Sequence, residues 1–184
     1  WTVFDGAGRV VATVNSPASA ISPDGRQAFS AVTSIAQPAK WSPEEPNLYY
    51  AVAMVEANGK VRDRDKVAFG ARTLTWDIDR GFLLNGEKVA LKGTCNHQDH
   101  AGVGAALPDR LQSFRLEVLK GMGCNAVRTS HNNPTPESVE ACDRLGVLML
   151  CETRTMSSNE ESLAQLEKMI KRYRNSPSIF LWSM

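Results

Sequence analysis

Two folds in succession are what the sequence predicts: a β-sandwich, present only in part, over residues 1–73, and the first four strands of a (β/α) barrel over 74–184. Three observations carry this. Up to about residue 73 the apolar residues come in short strand-like runs separated by turn chemistry. From about residue 80 apolar strands alternate with helical periods. Polar residues then stand just past the C-terminal ends of successive strands, where barrel enzymes build their sites.

The chain opens on Trp1-Thr2-Val3-Phe4, as though already inside a strand, so a targeting segment would lie upstream and the compartment is not readable. Val10 to Val14 is strand-like, followed by the turns Ser16-Pro17 and Ser22-Pro23-Asp24-Gly25. Ala28 to Ile35 is expected to be a further strand, before Pro38, Pro43 and Pro46 break the chain. Leu48 to Val55 is aromatic and β-branched, and it runs into Asn58-Gly59, the pair that tolerates positive φ in a tight hairpin. The return strand is expected from Val61 to Arg72. With no helical period and so few strands, a sandwich cut short is the expectation.

In the second half, Phe82 to Leu84, the turn Asn85-Gly86 and Val89 to Cys95 predict a small hairpin leading into a first buried strand. Leu111, Phe114, Val118, Leu119 and Met122 fall on one helical face, between Pro108-Asp109 and the stop at Gly123. Cys124 to Thr129 is the second strand. Thr135-Pro136 then reads as an N-cap with proline at the first helical position, where a missing N–H costs nothing. Val139, Cys142 and Leu145 line that helix, and Gly146 ends it. Val147 to Cys151 is apolar throughout, as a strand covered on both faces should be. A third helix is expected from Asn159, with Leu163, Leu166, Met169, Ile170 and Tyr173 inside, and Ser178 to Trp182 is the fourth strand.

This alternation fits a doubly wound sheet as well as a barrel. A doubly wound nucleotide binder would gather its signal in one glycine-rich turn after the first strand. Gly102-Val103-Gly104 lies too far downstream and lacks the third glycine, whereas Asn96 to His100, Arg128 to His131 and Glu152 follow three different strands. The barrel is favoured, and four strands make half of one.

Composition narrows the function. Of 184 residues, 21 are Lys or Arg and 20 are Asp or Glu, a formal charge of +1 that lacks the basic footprint of a nucleic-acid binder. No stretch reaches the ~18 uninterrupted apolar residues of a membrane span. The four cysteines, Cys95, Cys124, Cys142 and Cys151, are too few for a disulfide scaffold and are expected to be small buried hydrophobes.

At these residues the chain resembles glycoside hydrolase family two, the β-galactosidases, β-glucuronidases and β-mannosidases. Trp41-Ser42-Pro43-Glu44-Glu45-Pro46-Asn47-Leu48-Tyr49 is similar to a segment of that family's immunoglobulin-like sandwich, and Phe69-Gly70-Ala71-Arg72 to its exit into the barrel. Leu91 to His97, following Phe82-Leu83-Leu84-Asn85-Gly86, resembles the first barrel strand with its histidine, and Gly123 to His131 resembles the second-strand signature. Cys142-Asp143-Arg144-Leu145-Gly146 and Asn175 to Ser183 complete the series in the family's order. The resemblance implies retaining hydrolysis of terminal β-linked glycosides in a parent protein, β-galactosides first, with β-glucuronidase, β-mannosidase or a non-catalytic carbohydrate-binding protein as alternatives.

Departures from the family pattern set limits. Cys151-Glu152 stands where the family carries Asp-Glu, so only the glutamate transfers. The Glu and His that bind a metal in some β-galactosidases have no counterpart in Thr153 to Ser158. No cofactor is therefore expected, although the family admits a divalent cation or sodium. The resemblance places the acid/base glutamate just after Met184 and the nucleophile further on, so these 184 residues alone are expected to be inactive, with open strand edges and a tendency to self-associate. The implied partners are a carbohydrate substrate, the remaining domains of the parent chain and a homo-oligomer, with no nucleic acid and no membrane span.

The supporting site residues carried by the resemblance are His97, Arg128, His131, Glu152 and Asp99. Imidazoles at the rim can donate to sugar hydroxyls as the ring flattens toward an oxocarbenium-like transition state. Arg128 ends an apolar strand and needs a carboxylate, either the nucleophile of the family or Glu152 in a structural ion pair. Cys95, His97 and His100 with His131 can also be drawn as a zinc site, though the spacing matches no common pattern. Trp182 reads equally as a sugar platform or as core.

Overall fold

A computed structural model describes residues 1–155 and 157–183 and divides the chain into two compact units. The first comprises Trp1–Pro38 and Tyr49–Phe69; the second comprises Ala39–Leu48 and the chain from Gly70 onward. Met184, after which the acid/base is expected, lies outside the described residues, as does Met156.

The first unit is one antiparallel sheet of β1 (Thr2–Phe4), β2 (Val10–Thr13), β3 (Tyr49–Ala57) and β4 (Lys60–Phe69), in the order β2-β1-β3-β4. Asn58 and Gly59 adopt φ of 53° and 70°, which the tight β3–β4 turn requires. Tyr49 stacks on Phe69 with ring centroids 5.7 Å apart, and Val3 is buried beside them in the sheet. Only one sheet forms among the described residues of this unit, so the second layer of the expected sandwich is not present in them. Ala28 to Ile35 is not a strand: it runs as irregular chain with Val32 93% exposed, because β-branched composition makes a strand only where a neighbouring edge supplies hydrogen bonds and a packed face. The return strand stops at Phe69, before the expected Arg72, whose side chain is engaged elsewhere.

In the second unit a three-stranded antiparallel sheet, β5 (Leu74–Asp77), β6 (Gly81–Leu84) and β7 (Glu87–Lys88), precedes the α/β region. There follow β8 (Gly93–Asn96), α1 (Asp109–Gly121), β9 (Ala126–Thr129), α2 (Pro136–Leu145), β10 (Leu148–Glu152), α3 (Glu160–Tyr173) and β11 (Ile179–Ser183). The four later strands are all parallel and lie in chain order, β8-β9-β10-β11, with no reversal. Repeated crossovers of one hand put every connecting helix on the same face of the sheet. Thr135 and Asn159 cap α2 and α3 by accepting from Ser138 N and Ser162 N, as their positions predict.

Period-two alternation splits the strand residues between two cores. Val127, Met149, Cys151 and Ile179 pack with Leu116, Val139, Cys142, Met169 and Tyr173 from the helices. Ala126, Leu148 and Phe180 pack on the opposite face with Phe82, Leu84 and the fully buried Trp41. The indole N–H of Trp41 donates to Asp143 O at 2.8 Å. Asp143 Oδ1 accepts from Ser176 Oγ at 2.5 Å and from Ser178 N at 3.0 Å. Arg72 spans the carbonyls of Pro177 and Ile179, so the Trp41 and Arg72 segments are both tied to the start of β11.

Three packing expectations are corrected. On α1 the buried position is Leu116, while Phe114, Val118 and Met122 are 47%, 44% and 73% exposed; the apolar stripe is wider than the strip of helix that the sheet and α2 cover. On α3 Leu163 is exposed, and the capped Ser162 takes the inward position. The strand expected to be buried, β8, is the edge of the parallel sheet and is half exposed, so Cys95 is exposed; Cys124, just before β9, is half-buried, and only Cys142 and Cys151 behave as buried hydrophobes.

Candidate active site

Arg128 and Glu152 reach one spot because of sheet register. Ala126 and Arg128 share one face of β9, as Leu148, Leu150 and Glu152 share one face of β10, and the pairing Leu148↔Ala126 and Leu150↔Arg128 aligns them. Both side chains therefore leave the C-terminal end of the sheet on the side away from the helices. Glu152 is 3% exposed, and its Oε2 accepts from Arg128 Nε at 2.5 Å.

The other carboxylate oxygen is also taken. His131 Nδ1 lies 2.6 Å from Glu152 Oε1. A carboxylate only accepts, so Nδ1 carries a proton in this contact. Arg128 Nη2 lies 3.5 Å from the same Nδ1, a close approach of two donors and not a hydrogen bond. The His97 ring stands edge-on to His131 with centroids 5.9 Å apart, and Arg115 holds the main-chain oxygen of His97 at 2.6 Å.

The main chain under the cluster is fixed as well. Thr129 Oγ1 accepts from Glu152 N at 3.0 Å, Ser130 N donates to Asn96 O at 2.9 Å, and Thr153 N donates to Ser183 O at 3.0 Å. The hydrogen bond from Arg128 holds the Glu152 carboxyl below its ordinary value of 4.5, with His131 adding to the effect and burial opposing it. The pairing with Glu152 conversely raises the Arg128 guanidinium. The cluster is thus a carboxylate clamped by a guanidinium and a histidine ring.

The structure brings His97, Arg128, His131 and Glu152 together and leaves Asp99 apart. Asp99 is exposed on the loop after β8, and among the described residues its side chain makes no hydrogen bond or ion pair with the cluster. Arg128 faces Glu152, the ion-pair alternative of the sequence reading. Trp182 packs on the helix-side core beside Cys151, not on the open face of the cluster. Among the described residues no three His, Cys, Asp or Glu gather as a metal site, so the zinc set of Cys95, His97, His100 and His131 does not form. Thr129 enters the sequence reading within the second strand and the run Arg128 to His131 but with no role of its own; its signal is that it is the last residue of a buried strand beside the longer β10.

A family model described as "Glycosyl hydrolases family 2, TIM barrel domain" matches residues 78–184, and one described as "Glycosyl hydrolases family 2" matches residues 2–72. The chain belongs to glycosyl hydrolase family 2. Among curated relatives of this family, the beta-galactosidase BoGH2A of Bacteroides ovatus is 36% identical over 98% of the chain and 22% of its own length. A beta-glucuronidase of Formosa agariphila is 31% identical over 98% of the chain and 19% of its own length. A solved beta-glycosidase from Bacteroides vulgatus superposes with a TM-score of 0.86 at 32% identity, covering 100% of this chain and 24% of that one. The chain thus spans about a fifth of the length of the curated relatives it matches.

Proposed function

We propose that the chain is a segment of a longer family 2 enzyme that hydrolyses terminal β-linked glycosides, β-galactosides first, by a retaining two-carboxylate mechanism. In this reading residues 1–73 are part of an immunoglobulin-like domain and residues 74–184 are the first half of the catalytic barrel. The single observation that carries it is the Glu152 carboxylate, buried at the strand ends and held by both Arg128 and His131.

The electrostatics support a non-reacting role for Glu152. A general acid must hold its proton near neutral pH, which calls for a raised carboxyl pKa. Glu152 is shifted the other way. A nucleophile must also reach the sugar carbon, whereas Glu152 is buried with a hydrogen bond to each oxygen. Retaining hydrolysis also needs a second carboxyl about 5–5.5 Å from the first. Among the described residues the hydrogen-bonded cluster contains one carboxylate, so the acid/base and the nucleophile come from elsewhere in the longer chain. Glu152 then acts as a fixed negative support. It keeps Nδ1 of His131 protonated and presents Nε2 to a sugar hydroxyl, while the exposed His97 ring offers a second partner beside it.

A β-galactoside is the leading substrate, after the name of the relative BoGH2A at 36% identity. β-Glucuronides are the second reading, supported by relatives of that name at similar identity. The test is turnover of para-nitrophenyl β-galactoside, β-glucuronide and β-mannoside by the full-length protein. Hydrolysis of the galactoside with the highest kcat/KM supports the reading. A preference for the glucuronide moves it to the second reading, and no turnover of any leaves a carbohydrate-binding protein.

A further inference from the structure

The ladder between β9 and β10 ends at the pair Arg128 and Leu150, two residues before Glu152. Past that point β9 stays bonded to β8 on its other side, where Asn96 pairs with Thr129 and Ser130 N donates to Asn96 O. The main-chain N–H of Glu152 therefore has no β9 carbonyl to meet, although the residue is buried. A buried N–H without a partner is costly, and the position is satisfied by a side chain: the hydroxyl of Thr129, 7% exposed, at 3.0 Å.

Thr129 lies between Arg128 and the Ser130–His131 turn in sequence. The end of β9 thus grips Glu152 at three atoms, its N through Thr129, its Oε2 through Arg128 and its Oε1 through His131. The first contact fixes the main chain from which the carboxylate reaches for the other two.

We propose that Thr129 is a positioning residue of this site, its hydroxyl locking the Glu152 main chain so that one carboxylate meets Arg128 and His131 together. Valine has the shape of threonine without the acceptor, and serine has the acceptor without the methyl. The proposal deepens the glycoside-hydrolase reading and rests on it for its kinetic arm. In the full-length enzyme Thr129→Val lowers kcat about tenfold with KM within about twofold, and Thr129→Ser stays within about twofold of wild type in both.

Crystal structures of the two variants supply an arm independent of activity. In Thr129→Val the Glu152 carboxylate leaves hydrogen-bond distance of Arg128 Nε or His131 Nδ1; in Thr129→Ser both contacts remain. If wild type turns over no glycoside, the functional reading fails while the crystallographic comparison still decides this one. Should valine prevent folding, Thr129→Ala removes the hydroxyl with less crowding and is read in the same way. Wild-type kcat or an undisturbed cluster in a variant without the hydroxyl, or a serine variant as impaired as valine, overturns the proposal.

Discussion

Arg128 Nε and Glu152 Oε2 meet at 2.5 Å across two parallel strands, on a face otherwise built of Ala126, Leu148 and Phe180. Their side chains are 41% and 4% exposed, so the carboxylate is the buried partner and the guanidinium bridges it to solvent. The pair is unequal: removing the arginine strands a buried anion, whereas removing the carboxylate frees a cation that water can reach.

Acid should expose this inequality. Because the Glu152 carboxyl is depressed in the folded state, its ionised form contributes stability that is complete above the unfolded value and is lost as pH falls through the folded one. Thermal unfolding of wild type and Glu152→Gln in the full-length protein checks this. The wild-type advantage should be constant from neutrality down to about pH 5 and shrink below it. An advantage that persists unchanged at pH 3 or appears only in acid contradicts the assignment.

The indole of Trp41 offers a second test. Trp41→Phe removes the donor to Asp143 O inside a fully buried contact and should cost about 1–3 kcal/mol by urea unfolding. At Asp143 itself, asparagine keeps an acceptor for Ser176 Oγ and Ser178 N, so Asp143→Asn should lose less stability than Asp143→Ala. Equal losses would mean that packing, not hydrogen bonding, sets the value of this node.

At Gly146 two constraints coincide. Its φ is 70°, and a Cβ there would lie 2.4 Å from Pro43 O, a backbone atom. Gly146→Ala should therefore destabilise by more than about 1 kcal/mol, beyond what strained dihedrals alone cost. A variant within error of wild type by the same urea measurement would show that the αL turn relaxes.

These contacts also show what was legible in the sequence. Thr135-Pro136, Asn58-Gly59 and the run Val147 to Cys151 were readable because each encodes its conformation within a few residues. Convergence of Arg128 on Glu152 was legible only through strand alternation combined with family resemblance. Thr129 was not legible, because its role depends on where the β9 ladder runs out. Ala28 to Ile35 and the Phe114–Val118–Met122 stripe misled for one shared reason: apolar pattern states what can be buried, not what is there to bury it.

His97 and His131 should separate binding from catalysis. In the full-length enzyme, alanine at either position should lower kcat about tenfold or more with smaller changes in KM, if their contacts tighten as the sugar ring flattens. Steady-state kinetics with an aryl β-galactoside measures both. A rise in KM at unchanged kcat would mark them as ground-state contacts.

The central claim is that Glu152 is an ionised support and neither the nucleophile nor the acid/base. Removing a true nucleophile or acid/base carboxylate opens a space in which azide can attack the sugar and restore turnover. The deciding measurement is the rate of aryl β-galactoside cleavage by full-length Glu152→Ala with and without azide. A fall in kcat of about 10- to 1,000-fold that azide does not rescue is the expected result. Azide-dependent recovery with release of a galactosyl azide would contradict the account.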